Sequence, residues 1–323
     1  MLDQFGRDIN YMRISVTDRC NLRCRYCMPQ DLRRESHEDI LRYEEILRIC
    51  RAAVELGIRR FKITGGEPLA RRGCTGFIGM LKELPGVEQV TMTTNGLLLD
   101  RELDGLLRAG LDAVNISLDT LDAEKFMRIT GCREAVTDRL HALLRRCCAL
   151  GLKTKINTVL LEENRDDLLS LAALAEELPV DVRFIELMPI GFGDSLTRVS
   201  PDEVLEKLRG RWPDLKGTGE RRGNGPAHYY ESAGLRGKIG LIDAVSHSFC
   251  ASCNRVRLTS TGQLKPCLSY DSTADLRALL RGGCTDEELT AALRRAVYAK
   301  PRAHSFDKKE KMTEHHAMSQ IGG

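Results

Sequence analysis

A chain of 323 residues, 42% of them hydrophobic, can bury a sizeable core and has room for one large domain and a smaller one. Its 49 Lys and Arg against 46 Asp and Glu leave a net charge of +3, so no chain-wide basic field exists to hold nucleic acid, and any anion site must be local. No window approaches the ~20 apolar residues of a membrane span, and a cytoplasmic chain with twelve cysteines points to metal rather than to a disulfide framework.

In chain order, residues 14–16 can supply a first strand, and 60–64, 90–94, 113–118, 155–160 and 182–187 read as buried parallel strands. Between them, 44–56, 74–84, 100–107, 139–150 and 166–178 carry apolar residues at helical spacing. Six strand–helix units predict an α/β fold, an incomplete parallel (βα)6 barrel of TIM type. The strand ends Gly65-Gly66-Glu67-Pro68, Thr93-Thr94-Asn95 and Asn115-Ile116-Ser117 would then gather at the C-terminal face, where barrels place their active sites. At 217–230 the segment GTGERRGNGPAHYY loses all periodicity. The boundary is drawn there, with the barrel domain over 1–220 and a smaller C-terminal α+β domain over 221–323. In the latter, 238–242, 255–259 and 263–267 read as short strands, 273–299 as helices, and KKEKMTEHHAMSQIGG as a polar tail.

CNLRCRYC sets Cys20, Cys24 and Cys27 in one loop after the first strand. Three thiolates can hold a four-iron cluster and leave its fourth iron open to a ligand. The alternative is zinc, for which His37 is the only fourth ligand close in sequence. Cys250, Cys253 and Cys267 again offer three ligands, and with His247 or Cys284 they could instead form a structural zinc site. Arg255 and Arg257 alternate in phase on an expected strand. They form either a solvated face or, beside a cluster, a bidentate grip on phosphate. Cys50, Cys74, Cys132, Cys147, Cys148 and Cys284 lack cluster spacing and read as small core or surface residues.

CxxxCxxC with an aromatic, Tyr26, before its last cysteine resembles the signature of the radical S-adenosylmethionine superfamily. That resemblance implies a 4Fe-4S cluster on Cys20, Cys24 and Cys27 whose open iron chelates S-adenosylmethionine and breaks it to a 5'-deoxyadenosyl radical. It also makes Tyr26, Gly66, Ser117 and Met188 the cofactor-binding residues. From DQFGRDINYMRISVTDRCNLRCRYCMP to the closing QIGG, the chain resembles the GTP 3',8-cyclases of molybdenum-cofactor biosynthesis. This implies a second 4Fe-4S cluster on Cys250, Cys253 and Cys267 that binds the guanine of GTP. It implies nucleotide contacts from Arg13, Lys62, Thr93, Lys155, Arg255 and Arg257, and a terminal Gly322-Gly323 that reaches into the active site.

The implied product is (8S)-3',8-cyclo-7,8-dihydroguanosine 5'-triphosphate, passed to a cyclic pyranopterin monophosphate synthase, with electrons from a reductase or a flavodoxin-type donor. No nucleic-acid or membrane partner is expected, and the chain would act as a monomer or homodimer. Lys62 stands where the family commonly has Arg, which keeps the charge without the bidentate geometry. The rivals are another radical enzyme with an auxiliary cluster, for example a peptide-modifying one, and a noncatalytic zinc-binding module.

Overall fold

The structure, a computed structural model, describes residues 1–28, 34–220 and 222–322. Strands β1 (Tyr11–Ser15), β2 (Arg60–Thr64), β3 (Gln89–Thr94), β4 (Ala113–Ser117), β5 (Lys153–Val159) and β6 (Asp181–Ile185) lie side by side in chain order, all parallel. Helices α1 (Tyr43–Glu55), α2 (Cys74–Lys82), α3 (Leu99–Arg108), α4 (Ala123–Thr130), α5 (Thr137–Ala149) and α6 (Leu168–Glu177) connect them, and α7 (Pro201–Arg211) follows β6. The short α4, which the sequence pattern did not single out, is started by Asp122, whose carboxylate accepts from Lys125 N.

The C-terminal elements are β7 (Lys216–Gly217), β8 (His228–Glu231), β9 (Ile239–Ile242), β10 (Arg255–Leu258), β11 (Gln263–Lys265), β12 (Ala274–Asp275), α8 (Leu276–Arg281) and α9 (Asp286–Tyr298). Their strands join the barrel strands in one twelve-stranded sheet, ordered β12-β11-β10-β1-β2-β3-β4-β5-β6-β9-β8-β7. β10 runs parallel to β1 and β9 parallel to β6, so the C-terminal part extends the partial barrel on both flanks.

Residue alternation explains why these strands enclose a cavity. Outward positions such as Met12, Ile14, Phe61, Ile63, Val90, Met92, Val114 and Ile116 are buried in the main hydrophobic core. The intervening positions, including Arg13, Lys62, Thr91, Asn115, Asn157 and Arg183, line a cavity instead. A complete barrel of this type fills its interior with branched apolar side chains; polar side chains here leave the interior open. Among the described residues, no helix is long and apolar enough to cross a membrane.

Candidate active site

The cavity has a volume of about 700 Å³ and takes in both cysteine sets. Cys20, Cys24 and Cys27 follow the C-terminal end of β1. Cys250 and Cys253 precede the start of β10, and Cys267 follows β11, which is antiparallel to β10. Because β1 and β10 are parallel and adjacent, the two sets stand at opposite ends of the strands. The site therefore runs through the barrel, where the sequence pattern gathered it at the C-terminal face alone.

The first cysteine loop is braced from beneath by the GGEP turn. Gly66 N donates to Thr17 O and Glu67 N to Arg19 O, both at 2.8 Å. A Cβ on Gly66 would lie 2.4 Å from Arg19 O, so the backbone that comes close to these glycines is the cysteine loop itself. The Glu67 carboxylate accepts from Leu69 N, Thr94 Oγ1 and Asn95 N, and burial still raises its pKa to about 7. Asn95 Nδ2 in turn donates to Asn21 Oδ1 at 2.7 Å, inside the loop. Tyr26 Oη donates to Asp119 Oδ2 at 2.8 Å, and burial lifts the Asp119 carboxyl to about 6.

Burial pushes the Cys24 thiol well above its ordinary range and Cys27 to about 12, with neighbouring thiols and Asp119 adding repulsion. The second set differs. Burial alone would push Cys253 up, but Lys300 and Arg255 outweigh it and bring the thiol below its ordinary value. Lys300, almost fully buried, also donates from Nζ to Pro266 O, next to Cys267.

Neither zinc alternative has its fourth ligand. His37 is exposed, and the His247 side chain is 58% exposed beside Asp243. Cys284 packs on the outer side, where its carbonyl accepts from Arg48 of α1. None of the three lines the cavity. Among the described residues, no three His, Cys, Asp or Glu converge on one ion, as a single zinc requires. Three thiolates on separate irons of a cluster need no such convergence.

Between the two sets lies a layer of cations fixed by strand register. Arg13 is paired with Arg257 on one side and Lys62 on the other, and Asn157 with Arg183. Lys62 is 8% exposed and has no partner among the described residues. Burial, then Arg183, Arg13, Lys155 and Arg255, hold its ammonium well below the usual range. Arg255 stacks over Phe249 and leaves Nε buried and unpaired. Arg183, which the sequence reading missed, is 6% exposed, bonds to Asn157 Oδ1 and also leaves Nε unpaired. Its signal was present: in DVRFI it shares the inward phase with Asp181 and is flanked by the apolar Val182 and Phe184.

Lys155 is differently placed. Its ammonium is 2.9 Å from Asp181 Oδ2, which also meets Arg222, and it donates to the Arg222 carbonyl and Tyr229 Oη. That cation is already neutralised within the chain. Thr93, Ser117 and Met188 line the cavity, with Thr93 Oγ1 accepting from Asn115 Nδ2.

The C-terminal segment, a polar tail by sequence, is packed. Glu314 and Lys265 form a buried ion pair, with side chains 0% and 2% exposed. Ile321 joins Ile190 and Phe306 in a small apolar cluster. The Gly322 carbonyl then accepts from Arg257 Nη1 at 2.6 Å and from Arg13 Nη2 at 3.4 Å. Gly323 lies outside the described residues.

Comparison with known proteins matches this architecture in two pieces. The Radical SAM superfamily pattern covers residues 14–175, and the Molybdenum Cofactor Synthesis C pattern covers 180–306. Over 325 residues and all of both chains, this chain is 43% identical to the GTP 3',8-cyclase of Clostridium perfringens strain 13. It is 45% identical over 329 residues to that of Heliobacterium modesticaldum, again over all of both chains. The chain belongs to the GTP 3',8-cyclase family. Among solved structures, Streptococcus suis SuiB bound to S-adenosylmethionine shares the fold at 16% identity, with a TM-score of 0.64 over 97% of this chain and 78% of that one. Family membership sets aside the zinc-module and peptide-modifying rivals.

Proposed function

We propose that this GTP 3',8-cyclase family member converts GTP to (8S)-3',8-cyclo-7,8-dihydroguanosine 5'-triphosphate, the first step of molybdenum-cofactor biosynthesis. One observation carries the residue-level reading: a single cavity joins two three-cysteine sets across a layer of cations, in which Arg183 and Arg255 leave Nε buried and unpaired and Lys62 has no partner among the described residues. Burying such charges costs several kcal/mol each unless an anion answers them. A nucleoside triphosphate is a ligand of matching charge.

Cys20, Cys24 and Cys27 would hold one 4Fe-4S cluster, with Tyr26, Gly66, Ser117 and Met188 around its S-adenosylmethionine. That cofactor supplies a carbon radical able to remove a hydrogen atom from the ribose. Cys250, Cys253 and Cys267 would hold the second cluster at the guanine end. Arg13, Lys62, Arg183, Arg255 and Arg257 grip the phosphates, with Thr93 beside them, and Lys155 contributes once Asp181 is shared. Held this way, C3' and C8 of one molecule are kept within reach, and ring closure becomes intramolecular. The Gly322 carbonyl is fixed by the same arginines, Arg257 and Arg13. A reductase or flavodoxin-type protein would provide electrons, and a cyclic pyranopterin monophosphate synthase would take the product.

The test is an anaerobic incubation of the iron-loaded protein with GTP, S-adenosylmethionine and dithionite. Mass spectrometry should find 5'-deoxyadenosine and a cyclised nucleotide forming in step. Deoxyadenosine without consumption of GTP would refute the substrate assignment.

A further inference from the structure

The glycine-rich stretch 217–230 is where the sequence placed the domain boundary, yet in the fold its residues 222–226 lie across the N-terminal mouth of the barrel. Asn224 ties it down: its carboxamide oxygen accepts from Arg60 Nη1 at 3.2 Å and its nitrogen donates to Gln89 Oε1. Arg60 and Gln89 are the first residues of β2 and β3. Toward β5 and β6, the Arg222 carbonyl accepts from Lys155 Nζ at 2.7 Å, and Arg222 Nε donates to Asp181 Oδ2 at 3.2 Å.

None of these ties uses a backbone N–H. The amides of residues 222–225 have no partner among the described residues, and all four residues line the cavity. Gly223 has φ +92°, and successive unpaired amides around a left-handed residue form an anion-binding concavity. Cations border the turn: a Cβ on Gly225 would lie 3.6 Å from the buried Arg183 Nη1, and one on Gly223 3.8 Å from Lys155 Nζ, which Asp181 already answers. Arg183 still has an unpaired buried Nε, and Lys62 has no partner among the described residues. The unused donors and the unanswered charge thus meet on one floor.

We infer that the 222–225 turn seats the terminal phosphate of the nucleotide and so selects a triphosphate over a di- or monophosphate. The inference rests on the proposed nucleotide reading. With the purine at the second cysteine set beside β10, the phosphates cross the Arg13 and Lys62 layer of β1 and β2, and the turn closes the far side. The shorter nucleotides meet the same side-chain cations but leave these amides empty.

The test is anaerobic equilibrium dialysis of guanosine mono-, di- and triphosphate against the iron-loaded protein. It compares the unaltered chain with Gly225→Pro, which deletes one backbone donor, and Asn224→Ala, which frees the turn while keeping every backbone donor. In the unaltered chain GTP should bind at least about tenfold more tightly than GDP. That ratio should fall toward one in both variants, with GDP affinity nearly unchanged, which also reports that the fold is intact. Equal affinity for GDP and GTP in the unaltered chain, or variants that weaken both nucleotides alike, would overturn the inference. Failure of the unaltered chain to bind any guanosine nucleotide would overturn the functional reading beneath it.

Discussion

Replacing Lys62 with Met removes a buried cation that has no partner among the described residues and is repelled by Arg183, Arg13, Lys155 and Arg255. Met has similar length and no charge to desolvate, so ligand-free Lys62→Met should be more stable than the unaltered chain, by about 1–4 kcal/mol. That corresponds to a rise of several degrees in apparent melting temperature. The sign with pH follows from linkage. The folded-state pKa lies well below 10.5, so between those values the unfolded chain binds more protons and the unaltered protein gains stability as pH rises. The advantage of Lys62→Met should therefore shrink with increasing pH. With GTP the sign reverses: losing one charge-assisted contact of about 1.5–3 kcal/mol weakens binding by about 10- to 150-fold. Anaerobic melts across pH and equilibrium dialysis of GTP measure both effects. A variant that melts lower at every pH and binds GTP as before would refute the reasoning.

Gly66→Ala should force the cysteine loop away, because its Cβ would stand 2.4 Å from Arg19 O; iron and sulfide should fall by about half, and an unchanged content would count against the bracing role. Lys265→Met leaves Glu314 charged and buried, at about 3–5 kcal/mol. Proteolysis within 307–318 should accelerate in this variant and slow again in Lys265→Met/Glu314→Leu; similar cleavage in both would dismiss the ion pair as the anchor. Glu67, raised by burial to about 7, holds a proton that the unfolded chain releases above 4.5. Its contribution to stability is thus present below 4.5 and lost as pH rises through about 7. Glu67→Gln should flatten that part of the pH–stability curve, and an unchanged slope would show that the carboxyl is ionised in the fold.

Local spacing settled much of this protein before any coordinates. Cys20, Cys24 and Cys27 are close in sequence, so one loop must present them together, and alternation in 60–64 or 113–118 fixes which side chains share a face. The same alternation marks Arg255 and Arg257 as neighbours. What the tertiary structure alone decided are pairings between distant segments. β10 lies beside β1 although more than 240 residues separate Tyr11 from Arg255, and this puts the second cysteine set opposite the first. The stretch read as a domain boundary contributes to the barrel floor because Asn224 reaches Arg60 and Gln89. A polar tail becomes a packed strap because Lys265 answers Glu314. Whether a lysine is free for a ligand was equally invisible: Lys62 and Lys155 look alike in sequence, but Asp181 meets only Lys155. Charge compensation acts over a few ångströms, and only the packing of remote strands brings a carboxylate that close to one lysine and not to the other.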